Sequence, residues 1–247
     1  MSTPENAPVV ATTEIEFHKA LDEVRERIAF AAERVGRDPQ EIRLLPVSKT
    51  VPEERLRAAY AAGMIQLAEN KVQEAESKAE AMADLNVHWA VIGPLQSNKT
   101  RAVAQFADEF QALDRIRIAS RLDAHLKEYN RTLDVYVQVN ASGEDTKSGL
   151  EPRQVEDFLE QLQEFDALNL RGLMTMAFHT DDETVVRENF SMLRDLRDDL
   201  RERRPELIGE GGLSMGMSND YEIAIEEGAT VIRVGTAIFG ARDYSAK

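Results

Sequence analysis

The feature that most restricts the fold is an eightfold repetition. Each unit is a short apolar run of β type followed by a stretch with apolar residues at helical spacing. The strand-type runs cover residues 43–50, 64–69, 87–93, 109–113, 133–139, 168–176, 212–217 and 230–239. The clearest is 133–139, where Leu133, Val135, Val137 and Val139 alternate with Asp134, Tyr136 and Gln138. Period-two alternation marks a strand, and apolar residues spaced by three and four mark a helix. Between the fifth and sixth runs, Val155, Phe158, Leu159, Leu162 and Phe165 share one helical face. Residues 183–203 predict a long helix whose Asp199–Arg203 and Asp198–Arg201 pairs read as a solvated face. One more helix precedes the first strand. Thr13 and Glu16 form a capping-box pattern, Phe17, Leu21, Val24, Ile28, Ala31 and Val35 form one stripe, and Gly36 is the stop.

Eight strand–helix units in 247 residues predict a single (β/α)8 barrel with an extra N-terminal helix, over residues 14–247. Residues 1–13 read as a loose tail. A doubly wound open sheet is the alternative, because periodicity alone does not close a barrel.

Composition removes several functions. The chain carries 30 basic and 45 acidic residues, a net charge of −15. That excludes nucleic acid and anionic membrane surfaces as expected partners, since both require a basic face. No cysteine is present, so thiolate chemistry and disulfides are excluded. No signal peptide or apolar span is apparent, and a soluble cytoplasmic protein is expected. His18, His88, His125 and His179 are scattered without metal-site spacing, so no metal is expected.

The first strand, Arg43-Leu44-Leu45-Pro46-Val47-Ser48-Lys49, ends in one lysine. A barrel of this kind keeps its chemistry at the carboxyl ends of its strands. A partly desolvated lysine there is a candidate Schiff-base amine. The bland reading is a lysine snorkelling from a strand end. The same rim would collect Glu69, Asn70, Asn140, Ser142, His179 and Ser218, mostly small hydrogen-bonding groups suited to a polar small molecule. Ser218 leads into a helix, and Gly235 with Thr236 lies late in the last strand. Together they can make an anion nest where barrels commonly place a phosphate. Against that, Ser218 could serve only as an N-cap and Gly235 only as a packing site. Arg233, a charge inside an apolar strand, is expected to face the site or pair with a carboxylate. Met174 and Met176 are expected in the core.

Seven segments in order then resemble one family. They are Pro46–Lys49, Glu69–Glu74, Ile92–Lys99, Ser142–Leu150, Arg171–Met176, Leu213–Ser218 and Arg233–Gly240. The chain resembles the pyridoxal 5′-phosphate (PLP) homeostasis proteins, which are similar to the barrel domain of alanine racemases. The resemblance implies PLP held covalently as a Schiff base on Lys49, its phosphate on Ser218, Gly235 and Thr236, Arg233 facing the pyridine nitrogen, and Asn70 lining the pocket. Two departures stand out: Ala68 where the family often has glycine, and Trp89-Ala90-Val91 where it often has Trp-His-Phe. His88 precedes the tryptophan and is not expected to take over that histidine's role.

The resemblance further implies a non-catalytic PLP-binding protein that exchanges its ligand and supplies apo PLP-dependent enzymes. A PLP-dependent amino-acid racemase is the alternative, but no second base opposite Lys49 stands out, and Tyr244 reads as a structural tail residue. A sugar-phosphate aldolase and an acidic adaptor are weaker readings. With no second domain to complete a shared site, a monomer is expected.

Overall fold

Parallel strands buried on both faces need crossover connections, and here every crossover carries a helix. The computed structural model describes residues 10–141, 148–177, 180 and 182–240. Expectations for residues 1–9, Ser142, His179 and Tyr244 lie outside the described residues. In chain order the strands are β1 (Arg43–Pro46), β2 (Gln66–Glu69), β3 (His88–Val91), β4 (Glu109–Leu113), β5 (Leu133–Gln138), β6 (Leu168–Met174), β7 (Gly212–Ser214) and β8 (Val231–Val234). The helices are α1 (Glu14–Arg34), α2 (Glu53–Ala61), α3 (Val72–Ala81), α4 (Thr100–Phe106), α5 (Ile116–Glu128), α6 (Val155–Leu162), α7 (Glu183–Arg203), α8 (Tyr221–Glu226) and α9 (Thr236–Phe239).

The hydrogen-bonded order is β1-β8-β7-β6-β5-β4-β3-β2, parallel throughout. The seam between β1 and β2 is closed just beyond the strands. Val47 bridges Ala68, and the Ser48 amide donates to the Ala68 carbonyl at 2.9 Å. That bridge makes the sheet a barrel and rules out the open doubly wound alternative. The apolar core fills the space between strands and helices, with Leu45, Phe110, Val137, Leu173 and Ile232 all fully buried.

The added helix α1 begins as its capping box requires. The Glu16 amide donates to Thr13 Oγ1 at 3.3 Å, and Glu16 Oε2 accepts from the Thr13 amide at 3.0 Å. Its stripe packs over α8, α9 and α2, with the Phe17 ring edge-on to Phe239 at 5.6 Å. No helix among the described residues is long and apolar enough to cross a membrane.

Three expectations are corrected. The run 230–239 is not one strand. β8 stops at Val234, and the Gly235 carbonyl then accepts from the Ile238 and Phe239 amides at 3.0 and 2.8 Å, turning the chain into α9. Met174 is core, but Met176 is 41% exposed, because it lies past the end of β6 on the rim. The charge run of α7 is not all solvated. Asp199 does pair with Arg203, yet Asp198 pairs with the buried Arg197, and Arg201 reaches the carbonyls of Glu210 and Gly211 beneath the barrel.

One glycine decides how closely two strand exits approach. A Cβ on Gly93 would lie 2.0 Å from the Asn70 carbonyl oxygen. A backbone atom cannot rotate away from that clash, so a side chain at 93 must push the β2 and β3 exits apart. Gly93→Ala is expected to cost about 1–3 kcal/mol, read as a lower urea midpoint at an unchanged slope.

Candidate functional site

A charge taken into a barrel interior must be met by fixed partners. Arg233 is such a charge, 3% exposed on β8. Its Nη1 donates to Ser214 Oγ at 2.6 Å and its Nη2 to the Thr175 carbonyl at 2.7 Å. Ser214 Oγ donates in turn to Gln111 Oε1 at 2.7 Å, and Gln111 Nε2 donates to Glu109 Oε1. Glu109 is paired from below by Arg43 at 2.8 Å. A polar column thus runs up the barrel from β1 and β4 at the bottom to β7 and β8 near the top. Burial pulls the Arg233 pKa down to about 10, opposed by Asp220 and Glu109. The guanidinium is therefore charged at neutral pH. It faces neutral oxygens, not the carboxylate that was the alternative expectation.

Lys49 is half-buried, in the turn that follows the β1 exit. Both of its neighbours are clamped by one buried ion cluster. Lys78, on α3, donates to the Ser48 carbonyl at 2.9 Å, to Glu69 Oε1 at 2.7 Å and to Glu74 Oε1 at 2.7 Å. Ser48 Oγ donates to Glu69 Oε1 at 2.6 Å, and the Thr50 amide donates to Glu74 Oε1 at 2.6 Å. Thr50 takes a φ of 66°, a left-handed conformation costly for a β-branched residue. The cluster holds that strain in place. Burial raises the Glu69 pKa against the pull of Lys78, and Glu69 Oε2 is buried without a hydrogen-bond partner. A strained turn fixed on both sides holds the backbone of its middle residue, Lys49, in one position.

The exits of β8 and β2 flank this turn. The Val47 amide donates to the Val234 carbonyl at 2.9 Å. A Cβ on Gly235 would press on the Val47 carbonyl at 3.1 Å. The Gly235 amide donates to Ser218 Oγ at 3.2 Å, which draws the β7–α8 loop onto the start of α9. Ser218 is therefore not the helix cap. Asp220 holds that position, its Oδ1 accepting from the Met217 amide at 2.5 Å. Thr236 is exposed beside Gly235, and Asn70 is exposed at the β2 exit. The structure so gathers Lys49, Asn70, Ser218, Gly235 and Thr236 on one rim, with Arg233 buried directly below. His88 opens β3 at the opposite end of the barrel, 3.7 Å from Asp108, away from this rim.

Lys78 and Glu74 were not singled out in the sequence. Their i, i+4 spacing was visible, but such pairs usually decorate a solvated face. Nothing local showed that this pair turns inward onto the β1 exit.

Comparison with known proteins identifies the family and the fold. The sequence matches the family model of the alanine racemase N-terminal domain over residues 20–243. It is 44% identical to the pyridoxal phosphate homeostasis protein of Pseudomonas aeruginosa over 226 residues, 92% of this chain and 96% of that one. It is 42% identical to the protein of that name from Escherichia coli K12 over 233 residues, 92% and 97% of the two chains. Among solved structures it is similar to PipY of Synechococcus elongatus with PLP bound. The TM-score there is 0.79 at 33% identity, over 91% of this chain and 100% of that one. Alanine racemase of Clostridium difficile 630 shares the fold alone, with a TM-score of 0.70 at 15% identity, over 98% of this chain and 61% of that one.

Lys78→Met removes the cation from a buried carboxylate. A loss of about 3 kcal/mol is expected, measured by urea denaturation. Adding Glu69→Gln to the same chain should restore more than half of it, because no buried charge is then left unpaired.

Proposed function

Because the chain belongs to the alanine racemase N-terminal domain family, and within it to the pyridoxal phosphate homeostasis proteins, we propose that it binds PLP covalently through Lys49. It releases and reloads that ligand without robust turnover of its own. When bound, PLP supplies an electrophilic aldehyde and, with its ring nitrogen protonated, an electron sink.

This chain's residues fit such a ligand. The observation that carries the reading is the corner where Gly235 rests on Val47 and donates to Ser218 Oγ. It sets a cradle of small donors two residues from Lys49. Ser218 and Thr236 would hold the phosphate through their hydroxyls, with Gly235, whose amide is taken by Ser218 Oγ, keeping the corner free of a side chain. Asn70 would line the side wall. The Ser48 and Thr50 clamps fix the backbone from which the Lys49 side chain extends.

Arg233 weakens carbanion chemistry in this reading, and no second base opposite Lys49 stands out in the sequence to compensate. Its guanidinium stays charged at neutral pH and is fixed by Ser214 and Thr175. A cation facing the pyridine nitrogen disfavours protonation there, and the electron sink is weakened. What remains useful is reversible capture of a reactive aldehyde. That suits a cytoplasmic monomer that holds PLP and passes it to apo PLP-dependent enzymes.

The experiment is a visible absorption spectrum of protein incubated with PLP and desalted. A band that borohydride bleaches and that Lys49→Ala abolishes is expected. An amino-acid racemisation assay on the same sample should read no more than the Lys49→Ala background. Protein that retains no PLP would overturn the reading, and racemisation that depends on Lys49 would replace it with the racemase alternative.

A further inference from the structure

At the end of the barrel opposite Lys49 there is a polar cavity of about 440 Å3. Its walls carry Arg37, Arg43, Arg197 and Arg201. In a chain of net charge −15, four guanidiniums around one cavity are not a sample of the general surface. The parts of the chain that bring them together are the connection after α1, the start of β1, and the C-terminal half of α7.

Three of these guanidiniums are held by backbone carbonyls. Arg37 Nη1 donates to the Ile225 carbonyl at 2.7 Å, and Arg197 Nη1 to the Gly211 carbonyl at 2.6 Å. Arg201 Nη2 donates to the Glu210 carbonyl at 3.0 Å. A carbonyl fixes a guanidinium's position without neutralising it, and each guanidinium has five N–H donors to place. The nearby carboxylates leave much of this charge uncompensated. Glu109 serves Arg43, and Asp198 serves Arg197 at 2.5 Å. Glu41 approaches Arg37 only to 3.8 Å and is mostly exposed, while the Glu210 carboxylate is engaged by Arg171. Arg37 and Arg197 are close enough to repel one another.

The opening depends on missing side chains. Gly211 takes a φ of 66°, and a Cβ there would fall 2.3 Å from Arg201 Nη2. Any residue larger than glycine would displace that guanidinium. Gly212 and Gly228 line the same wall.

We propose that this cavity is a second ligand site, distinct from the rim, for a small polyvalent phosphate such as a phosphorylated metabolite. Guanidinium forks match phosphate oxygens in bidentate geometry, and several converging forks favour an anion carrying more than one negative charge. A cavity of this size takes a small molecule and not a polymer. The ligand would supply the negative charge that Arg37 and Arg201 lack, since Arg43 and Arg197 already have Glu109 and Asp198.

The probe is inorganic pyrophosphate, titrated calorimetrically into full-length protein already saturated with PLP. One bound pyrophosphate per chain is expected. Arg37→Gln combined with Arg201→Gln should weaken it roughly tenfold or more, leaving PLP uptake at the rim unchanged. Ser218→Ala combined with Thr236→Ala should bind pyrophosphate as the parent does, which separates this site from any phosphate affinity of the rim. Should the arginine pair fail to fold, Arg37→Gln alone carries the test, since Arg37 sits at the cavity edge. No binding to the parent protein would overturn the proposal. So would binding that the arginine substitutions leave untouched, or that the Ser218 and Thr236 substitutions abolish. Because the site is read by pyrophosphate heat and not by PLP colour, its failure is distinguishable from failure of the PLP reading.

Discussion

Taking the guanidinium of Arg233 out of water is the costliest single act in this barrel, and the polar interior is arranged around it. An unpaired buried charge is strongly destabilising. The cost is offset by a relay of donors, from Arg233 to Ser214, Gln111 and finally Glu109, where Arg43 closes the chain from below. These residues sit on β8, β7, β4 and β1, so the relay also ties non-adjacent strands across the lumen. A barrel filled only with aliphatic side chains would be simpler to stabilise. This one keeps a rigid cation just under its rim, oriented by hydrogen bonds that permit little movement.

The seam of the barrel and the Lys49 turn are the same place. β1 and β2 meet only beyond their strands, through one bridge between Val47 and Ala68, and β7 and β8 share the single pair Ser214–Val231. Side chains reinforce the β1–β2 seam. Ser48 Oγ reaches the Ala68 carbonyl at 3.2 Å and Glu69 at 2.6 Å, and Lys78 locks both sides. Closing the barrel therefore fixes Lys49 as well. The strained Thr50 and the half-satisfied Glu69 carboxylate are stability given up at this point, a pattern common where geometry serves function.

The two ends of the barrel differ in charge and in construction. The rim is made of small neutral donors around one lysine and one buried arginine. The floor is made of guanidiniums held apart by carbonyls, with glycines where side chains would intrude. Against a chain of net charge −15, the floor concentrates four arginines, of which Arg43 and Arg197 are paired with Glu109 and Asp198. Total charge describes the surface facing bulk solvent and says little about a cavity whose lining is drawn from distant parts of the chain.

Much of the architecture was legible in the sequence. Local rules governed it: period-two runs made strands, apolar stripes with glycine stops made helices, and the Thr13–Glu16 box started α1 where expected. The segments after β1, β2, β7 and β8 could be grouped on one rim because a parallel barrel sends every strand exit the same way. Three-dimensional packing decided the rest. Whether eight units close into a ring depended on the Val47–Ala68 contact, which no local pattern encodes. Gly235 ended a strand that looked continuous, because its carbonyl accepts from the following turn. Glu74–Lys78 and Asp198–Arg201 looked alike as helix-surface spacings. Yet Lys78 turned in to clamp the Lys49 turn, and Arg201 turned under the floor. Spacing along a helix gives a side chain's bearing on that helix, and only the packed neighbours determine whether that bearing meets water, a carbonyl or a buried carboxylate.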